Sequence, residues 1–318
     1  MLQSRTEVLI KGGRIKKRKN LLNRIIQHRY IYLLLAPGFI FLIMFKFAPM
    51  WGLLLAFKEY NPFGGMMAGK WVGFKYFIEL FNDSKFYLMF RNTLVINLFS
   101  LVFFFPFPII LSIMLNEVRH NRFKSLGQTI VYLPHFLSWV VIASMTYIIL
   151  STDTGIINKL IIQAGTEPVS FLTNAKLFWI IITAQTMWKD AGWGTILFLA
   201  AISGIDPQRY EAAVIDGASR MEQIWYITLP GILPTIIVLL ILRLGHVADV
   251  SLEQILLMQN PLVLSVSEVF DTYAFSQGIQ RGQISVGVAV GMFKSVINLI
   301  LVFGSNYLIK KGGQEGIF

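Results

Sequence analysis

Residues 204–234 read GIDPQRYEAAVIDGASRMEQIWYITLPGILP, and the first half of this stretch has the signals of a short helix. Asp206 can accept a hydrogen bond at a helix N-terminus. Pro207 suits the first helical position, where its missing N–H would have no intrahelical partner anyway. Residues 211–215, EAAVI, continue the helix, and the two alanines leave one face slim enough to fit closely into a partner's groove.

The second half of the stretch predicts a turn and another helix. Gly217 permits a sharp reversal because glycine tolerates positive φ angles. Ser219 and Glu222 have the spacing of a capping box, which predicts a helix that begins at Arg220. We expect this helix to run until Pro230, where the chain enters an apolar segment. The expected local structure is helix, turn, helix.

The composition around this stretch is that of a membrane protein. The chain has 318 residues, of which 55% are hydrophobic and 14% charged, and its mean hydropathy is +0.62. These values are too apolar for an ordinary soluble domain. A helix needs about 20 residues to cross a bilayer, so a chain of this length has room for about six spans. We therefore expect an all-α membrane protein with one membrane domain.

Six apolar stretches can serve as these spans. They lie roughly at residues 31–57, 92–115, 127–150, 177–203, 232–250 and 284–309. A short amphipathic helix is expected near 74–81, outside the membrane. Pro and Gly interrupt several spans, which is tolerated where other helices or an aqueous cavity satisfy the freed backbone groups.

The distribution of charge predicts the orientation of the chain. Residues 1–29 carry nine basic residues against one acid, Glu7. Basic residues also follow the second span and close the sixth, whereas the loop at 249–283 is acidic. The loop at 58–91 is basic as well, so the rule that positive residues stay inside holds in sum and not at every loop. Orientation therefore explains the net charge of +11 without a nucleic-acid partner.

This topology divides the chain into three parts. Residues 1–29 are expected to form a basic cytoplasmic tail, 30–310 the transmembrane domain, and 311–318 a cytoplasmic C-terminal tail. The loop at 204–231 then faces the cytoplasm.

The sequence carries no catalytic signature. It has no cysteine, and its four histidines lie in different segments without the spacing of metal ligands. A glycine-rich phosphate loop, HExxH and GxSxG are all absent from it. We therefore expect neither a metal site nor an enzyme.

The loop resembles a known motif. Glu211-Ala212-Ala213, Asp216-Gly217-Ala218 and Leu229-Pro230 are similar to the EAA loop of permease subunits in binding-protein-dependent ABC importers. An ordinary amphipathic loop on the membrane surface is the alternative reading of these residues. The resemblance implies that the first helix is a coupling helix, which docks in a cleft of a cytoplasmic ATPase. The residues to which it assigns this coupling are Tyr210, Glu211, Ala212, Ala213, Asp216, Gly217 and Ala218.

The resemblance extends over the chain after its basic tail. Residues 36–62 (APGFIFLIMFKFAPMWGLLLAFKEYNP), 71–81 (WVGFKYFIELF), 252–261 (LEQILLMQNP) and 271–279 (DTYAFSQGI) are similar to carbohydrate permeases of the lipoprotein-B-like, aldouronate type. This branch handles oligosaccharides from complex, often acidic polysaccharides such as pectin and alginate. Where many disaccharide permeases have Gly-Gly-Pro, this chain has Asn260-Pro261, which favours the same branch.

The resemblance implies a type I ABC importer permease fold and a multi-pass position in the bacterial cytoplasmic membrane, with both termini inside. The implied partners are a second homologous permease, two cytoplasmic ATPases, an extracytoplasmic solute-binding protein, the oligosaccharide and membrane lipid. ATP and Mg would be used by the ATPases, and this chain would bind no cofactor. The alternative is an ATP-independent carrier or channel whose in-span charges relay an ion.

Polar and aromatic residues in the fourth and fifth spans are the candidates for substrate binding. Trp188 and Trp193 can stack on sugar rings, while Lys189, Asp190 and Arg243 can bond hydroxyl or carboxylate groups. Such side chains also serve structural roles, in which charges mark a kinked or wet helix end and aromatic rings pack or anchor the span.

Overall fold

The structure, a computed structural model, describes residues 28–65, 68–313 and 316–317. These ranges are helical and contain no β-strand, so the predicted all-α class is confirmed. The predicted N-terminal tail at 1–29 lies almost wholly outside the described residues, as does part of the C-terminal tail. The chain divides into two compact units, Met1–Leu53 and Leu54–Phe318. The first contains most of helix α1 (Arg29–Phe57).

The second unit contains the other described helices. In chain order they are α2 (Lys75–Asn82), α3 (Phe86–Glu117), α4 (Asn121–Phe136), α5 (Trp139–Leu150), α6 (Ile156–Gln163), α7 (Ala175–Ser203), α8 (Pro207–Ile215), α9 (Arg220–Leu244), α10 (Leu252–Met258), α11 (Leu264–Ser267), α12 (Phe270–Phe275) and α13 (Ile284–Lys311). Helix α2 is the predicted amphipathic helix.

Four helices in the described residues are long and apolar enough to cross a membrane, namely α1, α3, α9 and α13. Helices α4 and α5 make a fifth candidate if they are one span, but a bend of 101° separates them. The third predicted span, at 127–150, is thus broken in its middle. The fifth, predicted at 232–250, was placed wrongly, because α9 begins at Arg220 and ends at Leu244.

The remaining predicted span, at 177–203, corresponds to α7. This helix has 29 residues, enough to cross a bilayer, but it is not among the candidates because its middle is polar. Ten of its residues are buried, and it packs against α3, α4 and α9. Where other helices cover α7, its surface does not face lipid, so the composition of that part is not constrained to be apolar.

Two glycines let α7 lie close to its neighbours. A Cβ atom at Gly192 would stand 2.3 Å from the carbonyl oxygen of Val131 on α4, and one at Gly194 would stand 2.9 Å from Pro108 on α3. Neither approach is possible for a residue with a side chain unless the backbone moves. These contacts make α7 the helix around which α3 and α4 are arranged.

An ion-pair cluster around a buried lysine joins the last helix to the segments before it. Lys294 of α13 is 7% exposed, and its Nζ atom lies 2.9 Å from Asp249 Oδ1 and also bonds Asp271. Asp271 in turn accepts from the backbone N–H of Val250 at 3.0 Å. Although burial opposes ionisation of Asp249, the hydrogen bonds and charges of Lys294 and His246 lower its pKa. One lysine therefore ties α13 to α12 and to the connection after α9.

Replacing this lysine by an apolar residue of similar length should destabilise the protein. In Lys294→Met the largely buried Asp271 loses its cation, whereas Asp249 is 44% exposed and keeps its contact with His246. We expect a cost of about 2 kcal/mol, below the full penalty of breaking a buried pair. We expect the midpoint of thermal unfolding in detergent to fall by roughly 5 °C or more. The control is Lys159→Met, since Lys159 is exposed on α6. Equal midpoints for the two variants would show that the cluster is not stabilising.

Candidate functional site

Helix α8 is an exposed helix with a defined start. The side chain of Asp206 accepts a hydrogen bond from the backbone N–H of Gln208 at 3.0 Å, and Pro207 is the first helical residue, as predicted. No residue of α8 is buried. Val214 and Ile215 are 61% and 85% exposed. Because apolar side chains are rarely left in solvent together, this surface has the character of a contact site for a partner.

The turn and the second cap also match the prediction. Gly217 has φ +81°, and no atom lies within 4 Å of a Cβ at that position. Glycine is therefore required for its backbone conformation and not for space. The backbone N–H of Ser219 donates to Glu222 Oε2 at 2.6 Å, and the N–H of Glu222 donates back to Ser219 Oγ at 3.4 Å. Together these bonds form the predicted capping box.

The length of the second helix was predicted wrongly. It begins at Arg220 but does not stop at Pro230, since α9 continues to Leu244. Residues Ile224–Thr228 form a π-helical turn directly before Pro230. The wider turn changes the local hydrogen-bond pattern, so that a residue without an N–H and with a bulky ring is accommodated. The loop and the span are therefore one continuous helix.

The residues assigned to coupling form one exposed region. Glu211, Ala212, Asp216 and Gly217 are exposed, whereas Tyr210, Ala213 and Ala218 are partly buried. Tyr210 lies on α8, and its hydroxyl is 2.9 Å from the hydroxyl of Thr228 on α9. This bond holds the partly buried side of α8 against the start of the span.

A second polar region lies where α4 and α5 meet at the bend. The His135 Nδ1 atom is 3.1 Å from Asp190 Oδ1 on α7. The His135 ring stacks on Trp193, with 5.3 Å between ring centroids and 14° between planes. Lys189 Nζ donates to the carbonyl oxygens of His135, at 2.9 Å, and Leu137. We call His135, Lys189, Asp190 and Trp193 the α7 polar cluster.

Lys189 has a structural task in this cluster. The carbonyl groups of His135 and Leu137 lie at the break between α4 and α5, where the regular helical bonds end. A buried carbonyl without a partner is costly in a membrane. The Lys189 ammonium satisfies both carbonyls, and it also lies over the Trp139 ring, 5.5 Å from the centroid. It therefore holds the bend.

The structure separates the two predicted tryptophans. At about 100° per residue, positions 188 and 193 point roughly 140° apart around a helix. Trp188 lies in an apolar groove between α5 and α7, beside Ile142 and Met145. Their spacing therefore places Trp188 and Trp193 on different sides of α7.

Arg243 makes no hydrogen bond to the described residues of the α7 polar cluster and interacts with them only electrostatically. Its guanidinium group donates to Ser100 Oγ and lies over the Phe104 ring, 5.6 Å from the centroid. It interacts electrostatically with Asp190. Among the described residues no carboxylate oxygen lies within 4 Å of the Lys189 ammonium or the Arg243 guanidinium. The region therefore has two cations for one carboxylate.

Sequence reasoning missed His135. The available signal was the run Leu133–Phe136, LPHF, in the third apolar stretch. A proline in that position indicates a helix break, and the adjacent histidine is then free to face a neighbouring helix.

Two relatives from Bacillus subtilis (strain 168) are similar over most of their length. The chain is 47% identical over 303 residues to the polygalacturonan/rhamnogalacturonan transport system permease protein YteP, with 95% of this chain and 94% of the relative covered. It is 49% identical over 290 residues to Protein LplB, with 91% of each covered.

A solved structure and a family model agree with these relatives. The chain superposes with a TM-score of 0.85 and 38% identity on a chain of the bacterial alginate ABC transporter in complex with alginate pentasaccharide-bound periplasmic protein. The match covers 93% of this chain and 99% of that chain. The family model described as binding-protein-dependent transport system inner membrane component matches residues 105–311. The predicted family is thereby confirmed: the chain belongs to the permeases of binding-protein-dependent ABC importers.

Proposed function

We propose that this chain is the permease subunit of an ATP-driven importer that moves an oligosaccharide across the bacterial cytoplasmic membrane. The observation that carries the proposal is helix α8, an exposed helix fixed by a cap, a left-handed glycine and a capping box. This geometry suits a rigid element that receives force from another protein. An ATP-independent carrier needs no helix that docks on a motor protein, so this exposed helix favours the importer.

The motor of this importer is a separate polypeptide. We propose that α8 docks in a cleft of a cytoplasmic ATPase and that two such ATPases use ATP and Mg to drive transport. The residues that make or shape this contact are Tyr210, Glu211, Ala212, Ala213, Asp216, Gly217 and Ala218. The chain itself supplies no catalytic residue.

The assembly needs further partners. A second homologous permease completes the path through the membrane, and an extracytoplasmic solute-binding protein delivers the sugar. In this topology residues 1–29 and 311–318 are cytoplasmic tails, 30–310 form the transmembrane domain, and the loop at 204–231 faces the ATPase. Transport proceeds by alternating access, in which closure of the ATPases opens the cavity outward and hydrolysis resets it.

The substrate is proposed to be acidic. A similar permease is named for polygalacturonan and rhamnogalacturonan, and the similar solved transporter holds alginate pentasaccharide on its periplasmic protein. The α7 polar cluster and Arg243 are proposed to bind the sugar, with Trp193 as the stacking surface and Trp188 as a second aromatic contact. Two cations and one carboxylate leave a net positive field, which suits a uronate carboxylate because an anion away from water needs a partner.

Charge reversal on α8 tests the coupling. In Glu211→Lys a like-charge contact would replace an attractive one at the ATPase, which costs several kcal/mol. We expect ATP-driven uptake into vesicles that contain the full complex to fall at least tenfold, while the permease still inserts. In Gly217→Arg the strained backbone alone should reduce uptake, since a side chain at positive φ costs about 1 kcal/mol or more.

The matched control for this test is Glu167→Lys, the same charge change on an exposed residue outside the coupling loop. It should leave uptake and copurification of the ATPase as in the wild type. Uptake that continues without ATP, or a Glu211→Lys complex that transports normally, would contradict the proposal.

The two tryptophans test the sugar site against each other. Loss of a stacked ring removes about 1 kcal/mol, so Trp193→Ala should raise the sugar concentration for half-maximal uptake by about fivefold. Trp188→Ala should have a smaller effect, because its ring lies in the apolar groove away from the cluster. Equal kinetics for Trp193→Ala and the wild type, in a complex of normal stability, would remove the α7 polar cluster from the sugar path.

A further inference from the structure

An ion pair joins the ends of two spans beside the coupling loop. The Arg220 Nη1 atom lies 2.7 Å from Glu117 Oε2. Arg220 is the first residue of α9 and Glu117 is the last residue of α3, 103 positions earlier in the chain. Both side chains line a cleft that also contains Tyr210 and Val214 of α8. The ion pair and the coupling helix α8 therefore line the same cleft.

Each of these charges is unfavourable for its own helix. The N-terminus of a helix carries a partial positive charge and the C-terminus a partial negative charge. Arg220 puts a cation at an N-terminus, and Glu117 puts an anion at a C-terminus. Each charge is favourable for the other helix. Arg220 lies near the negative C-terminus of α3, and Glu117 lies near the positive N-terminus of α9. Local helix stability therefore does not account for these residues, whereas a connection between α3 and α9 does.

A series of contacts leads from α8 to this pair. The Tyr210 hydroxyl bonds Thr228, which is 2% exposed within α9. Gln223 of α9 donates from its side chain to the carbonyl oxygen of Ala218 at 3.1 Å. The turn after α8 is therefore fastened to the first turns of α9, so that a displacement of α8 displaces the Arg220 end.

The pair extends this series to the substrate region. Helix α3 packs on α7, where Gly194 lies against Pro108. Helix α7 carries the polar cluster. A shift of the α3 end at Glu117 is thereby transmitted toward the cluster by packed helices.

We propose that Glu117 and Arg220 are positioning residues that pass the movement of the coupling helix from α9 to α3. The inference rests on the proposed function, because it requires an ATPase that moves α8. An exposed ion pair contributes little to stability, so the role assigned to this one is to make two spans move together.

Charge reversal and charge exchange test the pair. The readout is sugar molecules imported per ATP hydrolysed by the full complex in vesicles, since a merely structural role would change the yield of complex and not this ratio. Glu117→Arg and Arg220→Glu should each lower the ratio about threefold to tenfold with ATPase copurification unchanged. The double variant should restore it, because the exchanged charges pair again.

Two results would overturn the inference: single variants with a wild-type ratio, or a double variant no better than the worse single. A wild-type complex without ATP-driven uptake would refute the proposed function and this inference with it. A wild-type complex that imports normally while the pair variants have no effect refutes the inference alone.

A cross-link provides an independent test. The chain has no cysteine, so Glu117→Cys with Arg220→Cys introduces its only two thiols. Because the contact runs through two long side chains, a flexible bifunctional thiol reagent and not a direct disulfide is the suitable link. If the span ends move together, this reagent should join the two thiols both without nucleotide and with trapped ATP, and the cross-linked complex should retain uptake. A cross-link that stops transport, or one that forms in a single nucleotide state, would show that α3 and α9 separate during the cycle.

Discussion

The bonds from Lys189 to two carbonyl groups are the interaction on which the α7 polar cluster depends. The chain turns by 101° between α4 and α5, and in a bilayer no water is present to satisfy the backbone there. Lys189 meets this need from α7. The same anchorage brings the His135 ring onto Trp193 and next to Asp190. One short segment of α7 therefore bonds the backbone carbonyl groups at the bend and also carries the proposed binding surface.

This arrangement explains why α7 is both central and polar. Its glycines admit α3 and α4 to close contact, so other helices, and not lipid, cover much of its surface. Buried polar side chains on α7 are then tolerated because they bond to protein partners. Gln185 donates to Thr146 of α5 at 2.7 Å, and Gln254 of α10 donates to Gln185 at 3.0 Å. The polar residues that weaken α7 as an apolar span are those that fasten it inside the bundle.

Features that depend on residues close together in the sequence were predicted correctly, whereas features that depend on distant residues were not. The caps at Asp206 and Ser219 and the turn at Gly217 were correctly located, because each depends on residues within four positions. Pro134 is a local signal of a break between α4 and α5, but the partners that hold this bend and the cluster around Lys294 were not predicted. They depend on contacts between residues from about 20 to more than 50 positions apart, which local patterns do not encode. The family resemblance supplied the fold that such contacts build.

Lys189 of α7, Arg243 of α9 and Lys294 of α13 differ in how their positive charge is balanced. Lys294 lies between two carboxylates and is fully paired, so it has no charge left to offer a ligand. Lys189 is bonded to neutral carbonyls and Arg243 to a neutral hydroxyl. Hydrogen bonds to neutral groups satisfy geometry but leave the charge in place, and Asp190 balances only one of the two. An anionic sugar would therefore meet an attractive field beside α7, whereas the Lys294 cluster would present none. The distinction supports the proposal of a substrate contact on α7 and assigns Lys294 of α13 to structural support.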